Sequence, residues 1–179
     1  MINFSNVTFA YRGSRENVLE NFSLSVKRGE RIHLSAPSGK GKTTVLRLIM
    51  GLEKAKKGSI SIDEDIKISA VFQEDRLIPT QTVEKNIALF SSQEKAKELL
   101  SKLGLSQVAN SYPDELSGGM RRRAALARAL SKDFDLLLLD EAFNGLDEET
   151  LLNTIRVVEE YLENRTLIII SHHDKEAKR

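Results

Sequence analysis

The stretch that most constrains this chain is Ala36-Pro37-Ser38-Gly39-Lys40-Gly41-Lys42-Thr43-Thr44. An apolar run with Ile32 and Leu34 precedes it, and Val45, Leu46, Leu48 and Ile49 follow at helical spacing. A glycine-rich loop between a strand and a helix is a setting that binds phosphate. The glycines let the backbone curl until successive N–H groups point inward as an anion nest. A helix starting near Lys42 adds its positive dipole end. Lys42 can reach the β- and γ-phosphates of a nucleotide, and the Thr43 hydroxyl can ligate Mg²⁺. Ala36 stands where the strict pattern has glycine, which costs little if its φ is negative. The plainer alternative is a glycine-rich turn with a surface lysine.

Length and charge narrow the field. A chain of 179 residues suffices for one domain with a real core. With 27 Lys and Arg against 26 Asp and Glu, no global field points to nucleic acid. The absence of cysteine excludes disulfides, thiolate zinc sites and cysteine nucleophiles, and suits a reducing cytosol. Residues 1–5 lack the charged and apolar regions of a signal peptide. No apolar run approaches the length of a membrane span.

Residues 2–11 read as a strand running into a turn, and Phe22–Val26 alternates as a second. Arg28-Gly29-Glu30 turns the chain into Arg31–Ser35, so these strands are expected to pair antiparallel ahead of the loop. Tyr11 can stack on a nucleotide base or simply pack at a strand edge. The helix after Thr43 is expected to end at Gly51, followed by a solvated turn, Lys54–Gly58, and a short strand, Ser59–Ile62. Ile68–Phe72 reads as a strand that delivers Gln73 at its end. From Leu77 to about Asn110 the texture is helical. Ser91–Glu94 has the form of a capping box, and Ala96, Leu99, Leu100 and Leu103 share one face closed by Gly104.

A second helix, Arg121 through Leu130, follows Leu116-Ser117-Gly118-Gly119-Met120, and its start can also face an anion. Arg121-Arg122-Arg123 reads as a solvated or salt-bridged face before it reads as a nucleic-acid contact. Leu136–Leu139 is an apolar run expected to be a strand buried on both faces. It ends in Asp140-Glu141, at the edge where parallel sheets put their ligands. There Asp140 can hold Mg²⁺ and Glu141 can orient or deprotonate a water, unless both merely cap a helix. Asp147 is a candidate N-cap for a helix over 148–163. Thr166–Ile170 is a last buried strand, ending in Ser171-His172-His173-Asp174.

In this order the motifs resemble those of the nucleotide-binding subunit of ABC transporters. Residues 36–44 look like its Walker A loop, Gln73 its Q-loop, Leu116–Met120 its LSGGQ signature, and Leu136–Glu141 its Walker B strand with the catalytic glutamate. Asn144–Asp147 matches the D-loop. Ser171-His172 matches the switch histidine, with Ala177 fixing the choice of His172 over His173, and Tyr11 then resembles the adenine-stacking aromatic. Val71–Pro79 is similar to the VFQEDRLLPW stretch of nitrate, sulfonate and taurine importers, with Thr80 in place of tryptophan and Met120 in place of glutamine. The segment 63–68 is shorter than in the family, and the resemblance stops short of its C-terminal helices.

The resemblance implies an α/β fold over residues 1–179. It comprises a P-loop NTPase core with a mainly parallel sheet, an N-terminal antiparallel β subdomain and an inserted helical subdomain at about 77–116. It implies ATP and Mg²⁺ as cofactors. ATP would contact Tyr11, Ser38, Gly39, Lys40, Gly41, Lys42, Thr43 and Thr44 of one subunit. Ser117, Gly118, Gly119 and Asp147 would come from a second subunit in a head-to-tail dimer. Mg²⁺ would be held by Thr43, Gln73 and Asp140, with Glu141, His172, Gln73 and Lys42 acting in hydrolysis. The implied partners are transmembrane permease subunits and a solute-binding protein, with no nucleic acid. The implied location is the cytoplasmic face of the cell membrane, and the implied role is to energise solute import. A soluble non-transport ATPase of the family and a module that binds ATP without turnover are the alternatives.

Overall fold

The structure, a computed structural model, describes residues 1–35, 37 and 39–171. Among them the strands form two sheets. β1 (Ile2–Phe9) lies between β2 (Leu19–Val26) and β4 (Lys57–Ile62), antiparallel to both. The second sheet is parallel, in the order β3-β7-β6-β5: β3 (Arg31–Leu34), β7 (Thr166–Ile170), β6 (Leu136–Asp140) and β5 (Ile68–Val71). The helices are α1 (Lys42–Ile49), α2 (Val83–Ala88), α3 (Gln93–Lys102), α4 (Gly118–Ser131) and α5 (Glu148–Leu162).

β6 explains the layering. All five of its residues are buried, so both faces need cover. Leu136 and Leu138 point into a core shared with α1 and the antiparallel sheet, where Phe4, Leu46 and Ile168 meet them. Leu137 and Leu139, one step out of phase, point into a second core built on α3, α4 and α5. A run of four leucines thus serves two cores by alternation. The stretch 77–116 holds α2, α3 and two short 3₁₀ turns, Ser106–Val108 and Pro113–Glu115.

Helix ends follow local chemistry. α1 ends at Gly51, whose φ is +68°, with Leu52 N–H bonded to Arg47 O and Gly51 N–H to Leu48 O. This is the paired pattern of a Schellman cap. Asp147 caps α5, accepting from Thr150 N–H at 3.0 Å and from the Thr150 hydroxyl at 2.7 Å.

The structure corrects several expectations. β3 does not extend the antiparallel group; it pairs in parallel with β7, Ile32 opposite Ile168. Leu167 N–H donates to Glu30 O and Gly29 N–H to Thr166 Oγ1, so the 27–30 turn carries the chain from one sheet to the other. A turn signal does not say which sheet receives the next strand. Lys57 and Gly58 open β4 rather than closing a solvated turn. Gly58 has φ +81° opposite a register shift in β1, and a Cβ there would lie 2.4 Å from Asn6 O. It is a bulge glycine, which reads like a turn glycine. The capping box at Ser91–Glu94 is displaced: Ser92 is the N-cap and accepts from Lys95 N–H at 3.2 Å, leaving lysine at the third helical position. α4 begins at Gly118, not Arg121, because Ser117 caps it.

Leu137 sits fully buried in the second core. Leu137→Ala should lower the unfolding free energy by roughly 2–5 kcal/mol in urea titration.

Candidate nucleotide site

α1 starts with no side-chain cap and no acidic residue in its first turn. Its first backbone N–H groups are therefore turned toward whatever the preceding loop encloses. Gly41, the N-cap, has φ +82°, and a Cβ there would come within 2.8 Å of Leu19 Cδ2 and 3.0 Å of Val18 O. Only glycine fits both the backbone and the space. Gly39 also has positive φ, so the loop curls twice within three residues.

A cavity of about 380 Å³ lies against this loop. Its walls bring together Gly39, Gly41, Lys42, Thr43 and Thr44 with Gln73 from the end of β5 and Glu141 from the end of β6. Tyr11 closes another side. Its hydroxyl is 2.9 Å from Thr44 Oγ1 and accepts from Arg47 Nη1 at 3.4 Å, and its ring packs edge-on against Phe9. Tyr11 is thus both packed and at the cavity. Val18, which the sequence does not signal, lines the same space.

The chemical centre joins two elements 97 residues apart. The Thr43 hydroxyl donates to Asp140 Oδ2 at 2.7 Å. Asp140 is 1% exposed. Burial pushes its carboxyl above the ordinary range, and the neighbouring Glu141 adds to this; the Thr43 hydrogen bond, Lys42 and Arg47 oppose it. Glu141 has φ +52°, a region costly for a non-glycine residue, while its N–H is fixed to Ile170 O at 2.9 Å. Asn144 Nδ2 donates to Glu141 Oε2 at 2.9 Å, so the carboxylate is aimed by the turn that follows it. In the sequence Asn144 stands only as the first residue of the D-loop match. The Lys42 ammonium donates to Pro37 O at 3.2 Å across the loop.

Other expected residues lie elsewhere. Lys40 is exposed, its N–H bonded to Pro37 O. Ser117, Gly118 and Gly119 do not line the cavity; Ser117 Oγ accepts from Met120 N–H at 3.2 Å and caps its own helix. Gly119 lies against the Asn144–Asp147 turn, where a Cβ would meet Leu146 Cδ2 at 3.4 Å. Asp147 is an exposed cap. Ala36, Ser38, His172, His173 and Ala177 fall outside the described residues. Of the two expected forms of the arginine face, the salt-bridged one is found: Arg121 and Arg122 pair with Asp75, and each of the three arginines also donates to a backbone carbonyl.

A family model described as ABC transporter matches residues 19–144. The chain belongs to the ABC transporter family. Its relatives include the aliphatic sulfonates import ATP-binding protein SsuB of Bacillus subtilis, 38% identical across 97% of this chain and 73% of that protein. The methionine import ATP-binding protein MetN 1 of Bacillus thuringiensis is 38% identical across 96% of this chain. The chain spans 59% of that methionine relative's length. Among solved structures, the ATP-binding cassette MJ0796, a dimer in a post-hydrolysis state with ADP and Pi, superposes with a TM-score of 0.90. It is 31% identical, covering 99% of this chain and 90% of that one.

The ABC fold implies Mg²⁺, and the donor set here fits that ion. Among the described residues no group of three or more His, Asp or Glu could cage a metal. A hydroxyl and one buried carboxylate suit instead a hard ion that arrives with phosphate and water ligands.

A raised carboxyl pKa means the folded chain binds its proton more tightly than the unfolded chain. That contribution favours folding at low pH and is lost as pH rises from the ordinary aspartate range through the raised value. Asp140→Asn should therefore melt higher than the wild type without nucleotide at neutral pH, with the gain shrinking as pH falls. The same variant should lose stabilisation by Mg-ATP; thermal melts with and without Mg-ATP check both.

Proposed function

We propose that this chain is the ATP-binding and ATP-hydrolysing subunit of an ABC importer, energising a separate membrane permease. The observation that carries the reading is the Thr43–Asp140 bond at one cavity with Lys42, Gln73 and Glu141. These are the parts that phosphoryl transfer to water requires.

In this reading the Gly39–Gly41 backbone and Lys42 hold the phosphates, and Tyr11 offers its ring to the base. Thr43 and Asp140 would hold Mg²⁺, which would supply charge neutralisation at the phosphates. Glu141, aimed by Asn144, takes a proton from the attacking water. Gln73 reaches the same space, and His172 is assigned the switch role. Ser117, Gly118 and Gly119 face the γ-phosphate of a second subunit's ATP, with Asp147 beside them. Their position off this chain's own cavity, with Gly119 against the Asn144–Asp147 turn, supports that assignment.

The permease side follows from the apolar surface. Ile78, Leu89 and Phe90 are exposed, Phe90 by 60%, and they border a groove with Met50 and Phe72. We assign this groove to a cytoplasmic loop of the permease. In this reading a separate permease chain forms the path; among the described residues no helix is long and apolar enough to cross a membrane. The named importers of sulfonates and methionine support import, with a solute-binding protein in the system; peripheral attachment at the inner membrane face follows from that reading.

Glu141→Gln should retain ATP binding and lose turnover by about 10² to 10⁴. With ATP and no Mg²⁺ it should also form a dimer by light scattering, and adding Ser117→Arg should return it to monomer while nucleotide still binds. Wild-type turnover by Glu141→Gln, or a dimer indifferent to Ser117→Arg, would contradict the reading.

A further inference from the structure

The segment after β5 has unusual support. Residues 72–76 belong to no regular element, so their carbonyls have no ladder partner. Two arginines of α4 serve them instead. Arg122 donates from Nη1 to Phe72 O at 2.9 Å and from Nη2 to Gln73 O at 2.7 Å. Arg128 donates from Nη1 to Arg76 O at 2.8 Å and from Nη2 to Asp75 O at 3.2 Å. The Asp75 carboxylate lies 3.3 Å from Arg122 Nη1 and 3.8 Å from Arg121 Nε. Its Oδ1 is buried and receives no hydrogen bond among the described residues, so that contact is ionic only. Arg76 has φ +48°, and its guanidinium stacks 4.1 Å over the Phe72 ring.

Arg122 holds the decisive place in this clasp. Its side chain is 14% exposed, and both arms of its fork are engaged by the peptide groups on either side of the Gln73 Cα. Fixing both carbonyls fixes the direction in which the Gln73 side chain leaves the backbone, and Gln73 lines the cavity together with Lys42 and Glu141. Arg122 also stands little more than one turn along α4 from Ser117, the cap of the helix start assigned to the partner's ATP.

We infer that Arg122 is a positioning residue for Gln73, holding it in the nucleotide cavity and tying its placement to that of the Ser117–Gly119 helix start. The inference rests on the reading of Gln73 as a participant in hydrolysis. The geometry requires the planar fork: a lysine keeps a positive charge near Asp75 but cannot hold two carbonyls in fixed directions at once.

The test is a kinetic cycle on the 179-residue chain with Arg122→Lys, Arg122→Met, Gln73→Ala and the double variant Arg122→Met/Gln73→Ala, each checked by thermal melt. Both Arg122 variants should lower kcat by about ten- to hundredfold, with the KM for ATP changed less than about threefold. In the Gln73→Ala background Arg122→Met should add no more than about a twofold loss, because the two residues act through one route. Wild-type kcat in Arg122→Lys would overturn the inference, since charge alone would then suffice. Losses that multiply in the double variant would overturn it by showing that Arg122 does not act through Gln73. Full activity in Gln73→Ala would instead remove the reading of Gln73, and the inference with it. Should Arg122→Met fail to fold, Arg122→Lys against Gln73→Ala decides.

Discussion

One hydrogen bond, from the Thr43 hydroxyl to Asp140, organises the molecule. It ties the first turn of α1 to the end of the buried central strand β6. Its acceptor is a carboxyl that burial disfavours as an anion. Such a group is tolerated inside a fold only where it is bonded or where a cation answers it. The parallel sheet supplies the position: β6 lies between β5 and β7, and its C-terminal end delivers Asp140 beneath the loop that begins α1. Glu141, one residue on, leaves the strand with positive φ and lines the cavity.

Local features were legible in the sequence. The run Leu136–Leu139, the caps at Gly51 and Asp147, and the Gly39–Thr44 part of the loop each announce themselves within a few residues. The reason is that their chemistry is short-range: orphan N–H groups, left-handed backbone, a continuous apolar run. The placement of Lys42, Thr43 and Glu141 at the cavity, and of Asp140 bonded to Thr43, was legible too, because these residues sit at predictable ends of strands or starts of helices.

What stayed hidden depends on contacts between distant segments. Nothing near Arg31 says that β3 joins Ile168 rather than Phe22. Gly58 carries a bulge that only its approach to Asn6 defines. Val18 is a plain valine until Gly41 is packed against it. The arginines of α4 show a charge run in sequence, and only the fold reveals that backbone carbonyls consume their hydrogen bonds. The start of α4 reads in the sequence as a place for an anion, yet in the single subunit the Ser117 hydroxyl accepts from Met120 N–H of its own helix.

The out-of-phase leucines of β6 carry a consequence for how such a chain can change over time. Leu136 and Leu138 answer to one set of neighbours, Leu137 and Leu139 to another. Substitutions in separate environments with no shared partners combine nearly additively. The layer beside α1 and the layer beneath α4 can therefore drift or be redesigned as separate inventories, although a single strand belongs to both. A lineage could remodel the helical side to meet a new neighbour while leaving the loop-bearing side untouched.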